Sequence, residues 1–482
     1  MGGQTSTNRG GTHAYSDRII VESGTAGVHY IIATAKGENL KSIKYTQGKG
    51  TEEVSNIAVA TVKDGTNITF KGATQFLGFE TIRTTLTNGV NTDKDGKVGS
   101  NTHKTYFIQS LSSTGITQTS QDITASTMGS TYALYLANFN SLNKRMGELR
   151  DTTNAQGVWA RVFNGSQSLN FGIQSQTIYT TIQAGYDYAV GFEGANNYIG
   201  FALSYANSTT KAKNVSEING TNRGITSMTS NAIEFALYNA YVQNGASSLN
   251  GWSNGLYSDS ILKFSYITSD AKLVGATASA MSNTAFTLSE EVGYRFLLGD
   301  QQWFITPQAE VAFGYLSRGN LNQKNGIYTL NSTQENIITL SNRIGSDVGY
   351  TFDIPKEKGF QAKLYLGTYF VYDYLIGGEI NSRTGIGTQS VLTPFTSSAK
   401  GVINVGTNLE VKDNTRIYFD FERSFGGKVV TDYQINLGVR YGFGEKGRGV
   451  KVVKGRGAEQ VEKDKMIEIE TNKAPLKVQG DM

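Results

Sequence analysis

Between Gly157 and Phe443, apolar and polar residues alternate with a period of two over runs of ten or more positions. In the last run Tyr433, Ile435, Leu437, Val439, Tyr441 and Phe443 share one side, and Gln434, Asn436, Gly438, Arg440 and Gly442 the other. Earlier, Ile417, Phe419 and Phe421 oppose Arg416, Asp420 and Glu422, and Leu364, Leu366, Phe370, Tyr372 and Tyr374 oppose Lys363, Gly367 and Asp373. Successive side chains of a strand point to opposite faces, so each run is a two-faced strand. Soluble sandwiches also alternate, but in strands of about five or six residues. Strands twice as long, with a polar, Gly-containing inner face and an apolar outer face, predict a barrel in lipid. There, only closure satisfies the backbone hydrogen bonds of a sheet.

Twelve such runs begin near Gly157, Gln176, Asn197, Asn231, Gly255, Ser282, Gln302, Glu335, Gly359, Gly401, Thr415 and Val430. The longest connections, Asn207–Ser230, Gly319–Gln334 and Gly377–Ser398, follow odd-numbered runs and therefore leave on one side. With long loops outside, both ends of the barrel face the periplasm. A Lys or Arg aimed at the bilayer midplane costs about 2–4 kcal/mol, so charges should sort by parity. Asp259, Lys263, Glu291, Arg295, Glu310, Arg343, Asp347, Glu410 and Arg416 all fall on the polar side. Glu290 falls on the apolar parity and is expected at a rim or a bulge.

Ahead of the alternating region the period changes. Tyr135, Phe139, Leu142, Met146 and Leu149 recur at steps of four and three, which predicts a helix from Thr131 to about Arg150. At 1.5 Å per residue it is ~30 Å long, about the height of a bilayer core. Ser112–Thr127 is polar and aperiodic and reads as a linker. Before it, short strand-like runs (Arg18–Glu22, Val28–Thr34, Asn56–Val62, Asn67–Phe70, Phe79–Leu86 and Lys104–Leu111) alternate with turn residues. Asn91–Gly99 is a turn cluster with Asp95-Gly96 as its hairpin signal. It imitates the start of a calcium loop, but Thr102 stands where a bidentate Glu is needed, so a solvated hairpin is expected and no metal site.

Composition narrows the function classes. Gly is abundant (56 of 482 residues), Pro scarce (4), and charged residues make up 17%, against about 25% in soluble domains. A net charge of +4 without basic–aromatic clusters gives no case for nucleic acid. Cys is absent, which rules out disulfides and thiolate metal sites. The three histidines, His13, His29 and His103, all precede the helix, so no His-based site lies in the barrel. No motif implies a cofactor or an enzyme. The first residues do not read as a signal peptide, so an exported protein of this sequence would be a piece of a longer precursor or one with its start assigned too late.

The run LNKRMGELRDTTNAQGVWARVFNG, Leu142–Gly165, closely resembles the helix and first strand of autotransporter translocator domains, the type V secretion family. The similarity continues at Ser289–Phe296, Trp303–Gly314, Asn342–Phe352, Asn404–Gly427 and Tyr433–Phe443, and Tyr15–Ile32 more loosely resembles the last rungs of a pertactin-like β-helical passenger. The resemblance implies an all-β fold: a twelve-stranded antiparallel transmembrane β-barrel with an α-helix threaded in the lumen, preceded by a short β-helix-like segment. The implied division is a passenger remnant over 1–125, linker and lumenal helix over 126–151, barrel over 152–443 and a charged tail over 444–482. The implied function is an outer-membrane translocator that anchors and exports its N-terminal passenger to the surface of a Gram-negative cell. A porin-like channel and a displayed adhesin or toxin fragment are the alternatives.

The same resemblance implies partners and sites. The partners are outer-membrane lipid, periplasmic chaperones and the barrel assembly machinery, which reads the final strand at Tyr433, Tyr441 and Phe443; the barrel itself is expected to be monomeric. Lys144, Arg145 and Glu148 on the helix would pair with charged walls, where Glu291, Glu310 and Arg343 lie. Some members cleave themselves when an Asn in the helix attacks its own carbonyl. Those carry Asn-Asn before LNKRMG, where this chain has Asn140-Ser141; Asn140 matches the attacking residue and Asp259 the acid that orients it. The family usually ends at the terminal aromatic, here Phe443, whereas this chain runs on through a charged, solvated extension.

Overall fold

A computed structural model describes residues 58–444, apart from 97–98, 140–141, 148, 150–155, 193–194, 213–215, 219–220, 224, 244–247, 250–251, 300–301, 353–359 and 412–413. Before residue 58 it describes 5–6, 13–14, 18–24 and 26–32.

Twelve long strands form the barrel. They are β1 (Gln156–Leu169), β2 (Ser175–Phe192), β3 (Ala195–Ala212), β4 (Ile225–Gln243), β5 (Trp252–Leu273) and β6 (Met281–Leu298). The second half comprises β7 (Trp303–Leu316), β8 (Ile337–Phe352), β9 (Phe360–Gly377), β10 (Ser398–Val411), β11 (Thr415–Phe425) and β12 (Val429–Phe443). Each pairs antiparallel with its chain neighbours. The ring closes where β1 meets β12, from Gln156 opposite Phe443 to Leu169 opposite Val429. Closure leaves no open edge to be satisfied in hydrocarbon.

The alternation of the sequence becomes the wall of the barrel. On β12, Gln434, Asn436 and Arg440 are buried inside while Ile435, Leu437, Val439, Tyr441 and Phe443 are exposed outside. The same exterior carries Ile178, Ile182, Ile199, Leu203, Ile233 and Leu237, an apolar belt that only lipid tolerates. Glu290 departs from expectation. It sits mid-strand in β6, exposed on the lipid side, in an unbroken register opposite Ser260 and Val311, not at a rim or bulge. Ser260 Oγ donates to its carboxylate, and Asn239 lies opposite Ser260 on β4, so a polar patch on three strands accommodates the charge.

The inner glycines do not line empty space. A Cβ on Gly438 would stand 2.1 Å from the Tyr418 ring, and one on Gly293 would stand 2.3 Å from Tyr257. Each lets an aromatic ring of the next strand lie flat against the wall.

At the loop end, the connections build a second sheet from strands 277–278, 319–325, 328–334, 380–384 and 389–392. The segment before the barrel stands on it. In that segment Ile19–Val21 and Gly27–Ile31 pair in parallel with Ala60–Val62 and Ile68–Gly72, two successive strands stacked with one common offset. His103–Ile116 then pairs antiparallel with Ala58–Lys63, Glu80–Leu86 and Val90–Thr92. The Asp95-Gly96 turn forms as read. Asp93 Oδ1 accepts from Asp95 N at 2.9 Å, and Arg18 Nη1 donates to Asp95 O at 2.7 Å. Glu80, buried, accepts from Ser113 of the same segment, the stem (2.6 Å), and from Thr388 in the turn between the last two strands of the loop sheet (2.5 Å), fastening stem to loops.

The linker expected over Ser112–Thr127 does not exist. The strand His103–Ile116 runs directly into helix α1, Gln118–Ala137, and a one-turn helix α2 follows at Leu142–Met146. The expected single helix from Thr131 is therefore displaced towards the N-terminus and broken. Thr117 caps α1, accepting from Ser120 N at 3.2 Å. Thr124 and Thr127 return their hydroxyls to the carbonyls four residues back. This polar turn shows no apolar stripe because it packs through small residues. At Gly129 a Cβ would stand 2.5 Å from the Phe171 ring.

Candidate functional site: the plugged lumen

The two helices fill the barrel, and two kinds of chemistry hold them. At the loop end the contact is apolar. Met128 and Tyr132 of α1 pack with Phe171, Met228, Met281 and Phe395 in one buried cluster. Tyr132 meets Phe395 and Phe171 edge-on, with centroids 5.6 and 6.1 Å away. Such edge-to-face contacts add to area burial. Phe171 and Phe395 belong to loops, where no periodicity marks them.

Further down, polar wall groups take the helix ends. A helix leaves its last carbonyls without internal partners. Lys263 Nζ on β5 donates to Asn138 O at 2.9 Å, at the end of α1. Thr181 donates to Asn138 Oδ1 at 3.0 Å. At α2, Lys144 O accepts from Arg161 (2.7 Å) and Asn436 (2.9 Å), and Arg145 O from Tyr418 (2.6 Å). Tyr198 donates to Leu149 O at 3.3 Å. Cations at helix C-termini also suit the helix dipole. The wall thus supplies the donors that a continuous helix would have supplied, which explains the break after Ala137.

The charged side chains pair as follows. Lys144 binds Glu422 on β11. Arg145 pairs with Asp259 on β5 at 2.5 Å, both nearly fully buried, and its guanidinium lies 4.5 Å over the Tyr238 ring. Glu291, Glu310 and Arg343 occupy adjacent register positions on β6, β7 and β8. They pair with one another, Arg343 bonding Glu291 at 2.7 Å and Glu310 at 2.8 Å, while Tyr257 donates to Glu291 at 2.7 Å. Their charge is spent within the wall, not on the helix. Asn140, the residue read as a nucleophile, and Glu148 lie outside the described residues. Asp259, read as its orienting acid, has its carboxylate on Arg145. Tyr441 and Phe443 stack outward at the turn end with centroids 6.3 Å apart, and Tyr433 reaches Asn164 at 3.5 Å.

Sequence reasoning missed Arg161, Asn436, Tyr418 and the Arg440–Asp187 pair (2.5 Å) as holders of the lumen. Their inward parity could have flagged them. Beside the plug, Glu310, Arg343, Asp373, Lys400 and Glu422 line a cavity of about 100 Å³. Among the described residues no cluster of three or more His, Cys, Asp or Glu could hold a metal ion.

Comparison with known proteins gives the arrangement a family. The model of the autotransporter beta-domain family matches residues 158–422, more than half of the chain. The serine protease EspC of Escherichia coli O127:H6 is 30% identical over 393 residues, covering 80% of this chain and 27% of its own length. The serine protease Sat autotransporter of Escherichia coli O6:H1 is 27% identical over 433 residues, covering 89% of this chain and 30% of its own. The chain thus spans less than a third of the length of these curated relatives. The β domain of the Bordetella autotransporter BrkA covers 60% of this chain and 100% of its own at 18% identity, with a TM-score of 0.47. The closed twelve-stranded ring, the lipid-facing belt and the family match lead to one conclusion: the chain belongs to the autotransporter β-domain family, and its barrel is a translocator of the Gram-negative outer membrane.

Proposed function

We propose that the barrel delivers the segment ahead of α1 to the cell surface and then keeps α1 and α2 as its plug. The observation that carries this reading is the path of the chain. It descends from a stem standing on the loop sheet, through the lumen, into β1. The stem would face outward and the residues after Phe443 the periplasm. Trypsin added to intact cells should then digest a tag placed at Gly65, an exposed turn, and spare one placed after residue 444. Protection of both tags in a folded barrel would overturn the orientation.

The protease names belong to relatives about three times as long, and we place no multiple-turnover activity in these residues. His103 contacts Thr102 at 3.0 Å and Glu22 at 3.4 Å, an anchoring role in the stem. For Asp259 we favour anchorage of Arg145 over cleavage chemistry at Asn140, because its carboxylate is already engaged. A denaturing gel of the parent chain and Asn140→Asp decides: a shorter barrel band in the parent that disappears with the substitution would establish cleavage, and full-length bands in both support a retained stem. Outward-facing Tyr441 and Phe443, at the end of the strand that closes the ring, suit the assembly machinery as its recognition signal.

A further inference from the structure

Two guanidinium groups in the lumen carry N–H groups that no described protein atom accepts. Arg145 Nε and Nη1 and Arg161 Nη2 are buried without a hydrogen-bond partner among the described residues. The residues are 2% and 3% exposed. Both line one cavity of about 30 Å³ at the joint between α1 and α2, together with Lys263 and Glu310. The other charges of that wall are engaged. Lys263 pairs with Glu234 at 3.2 Å, Arg145 Nη2 with Asp259, and Glu310 with Arg343. Arg161 has no ion pair among the described residues. Its Nε donates to Gln183 Oε1 at 2.8 Å and its Nη1 to Lys144 O at 2.7 Å, both uncharged acceptors.

An unpaired buried charge is costly, as is each buried donor left without an acceptor. A water molecule would relieve two of the three donors and leave the charge. A small anion accepts from Arg161 Nη2 and from one edge of Arg145, as a water would, and also compensates the charge. The cavity has room for one or two water-sized bodies, which suits a monatomic halide. Glu310 repels an anion, but its carboxylate is already paired with Arg343 at 2.8 Å. We propose that this cavity is a binding site for a single halide ion, chloride in the cell, held between Arg145 of the plug and Arg161 of the wall. The ion ties the short helix to the first strand of the barrel and makes plug stability depend on chloride itself and not on ionic strength.

Crystals of the full chain soaked in sodium bromide should give an anomalous peak between the two guanidinium groups; bromide found elsewhere only, or not at all, overturns the site. In detergent solution the unfolding midpoint of the full chain should rise by roughly 2–4 °C in saturating chloride over gluconate at equal ionic strength. Arg161→Gln should lose the whole of that rise. Equal midpoints in the two salts count against the proposal. Should Arg161→Gln fail to fold, the bromide map and the salt comparison in the parent chain still decide.

Discussion

Arg145→Met should destabilise the plugged barrel by about 3–5 kcal/mol while leaving the pore closed. The loss follows from what remains: Asp259, 2% exposed, would keep a buried charge with its ion-pair partner among the described residues gone. The denaturant midpoint should fall with the slope unchanged. In a double-mutant cycle, adding Asp259→Asn should restore most of the stability, since a neutral amide tolerates the site better than an orphaned carboxylate. A single mutant as stable as the parent would show that the pair does not hold α2. The pore should stay shut because the tight packing lies elsewhere.

That packing is the apolar cluster at the loop end, and Tyr132→Ala tests it. Tyr132 is fully buried against Phe171 and Phe395, and its hydroxyl meets Thr339 Oγ1 at 3.0 Å. Truncating such a ring costs about 3–5 kcal/mol and leaves a cavity. Here the cavity lies on the permeation path, so planar-bilayer recordings should show ion conductance in Tyr132→Ala and silence in Arg145→Met. Tyr132→Phe, which loses only a hydrogen bond worth about 1 kcal/mol, should stay silent. Conductance in Arg145→Met with silence in Tyr132→Ala would move the seal down to the charged zone.

The barrel was legible from sequence because period two is imposed twice, by lipid outside and by polar packing inside. All twelve strands and the sorting of Asp259, Glu291 and Arg343 followed from that one rule. The helix was less legible. Its reading leaned on the apolar stripe from Tyr135 to Leu149, but the stripe spans two helices whose ends are set by Lys263, Tyr418 and Asn436, far away in the chain. The turns from Gln118 to Ser130 carried no stripe because small residues and hydroxyls are what a narrow lumen accepts. Phe171 and Phe395 left no trace, since loop residues obey no period. Glu290 was misplaced because a rim is the usual refuge of a lipid-side charge, and a hydroxyl from the neighbouring strand serves in its stead.

The donors at the end of α2 carry a consequence for the order of folding. Arg161, Tyr418 and Asn436 lie on β1, β11 and β12, the first strand and the last two, which meet only at the seam. A five-residue helix has no stability of its own in solution. Its carbonyls can be met only once the ring has shut, so α2 should be the last element to set. A barrel caught with β1 and β12 apart would hold a loose thread where the finished molecule holds a plug, and passage and closure would be successive states of the same seam.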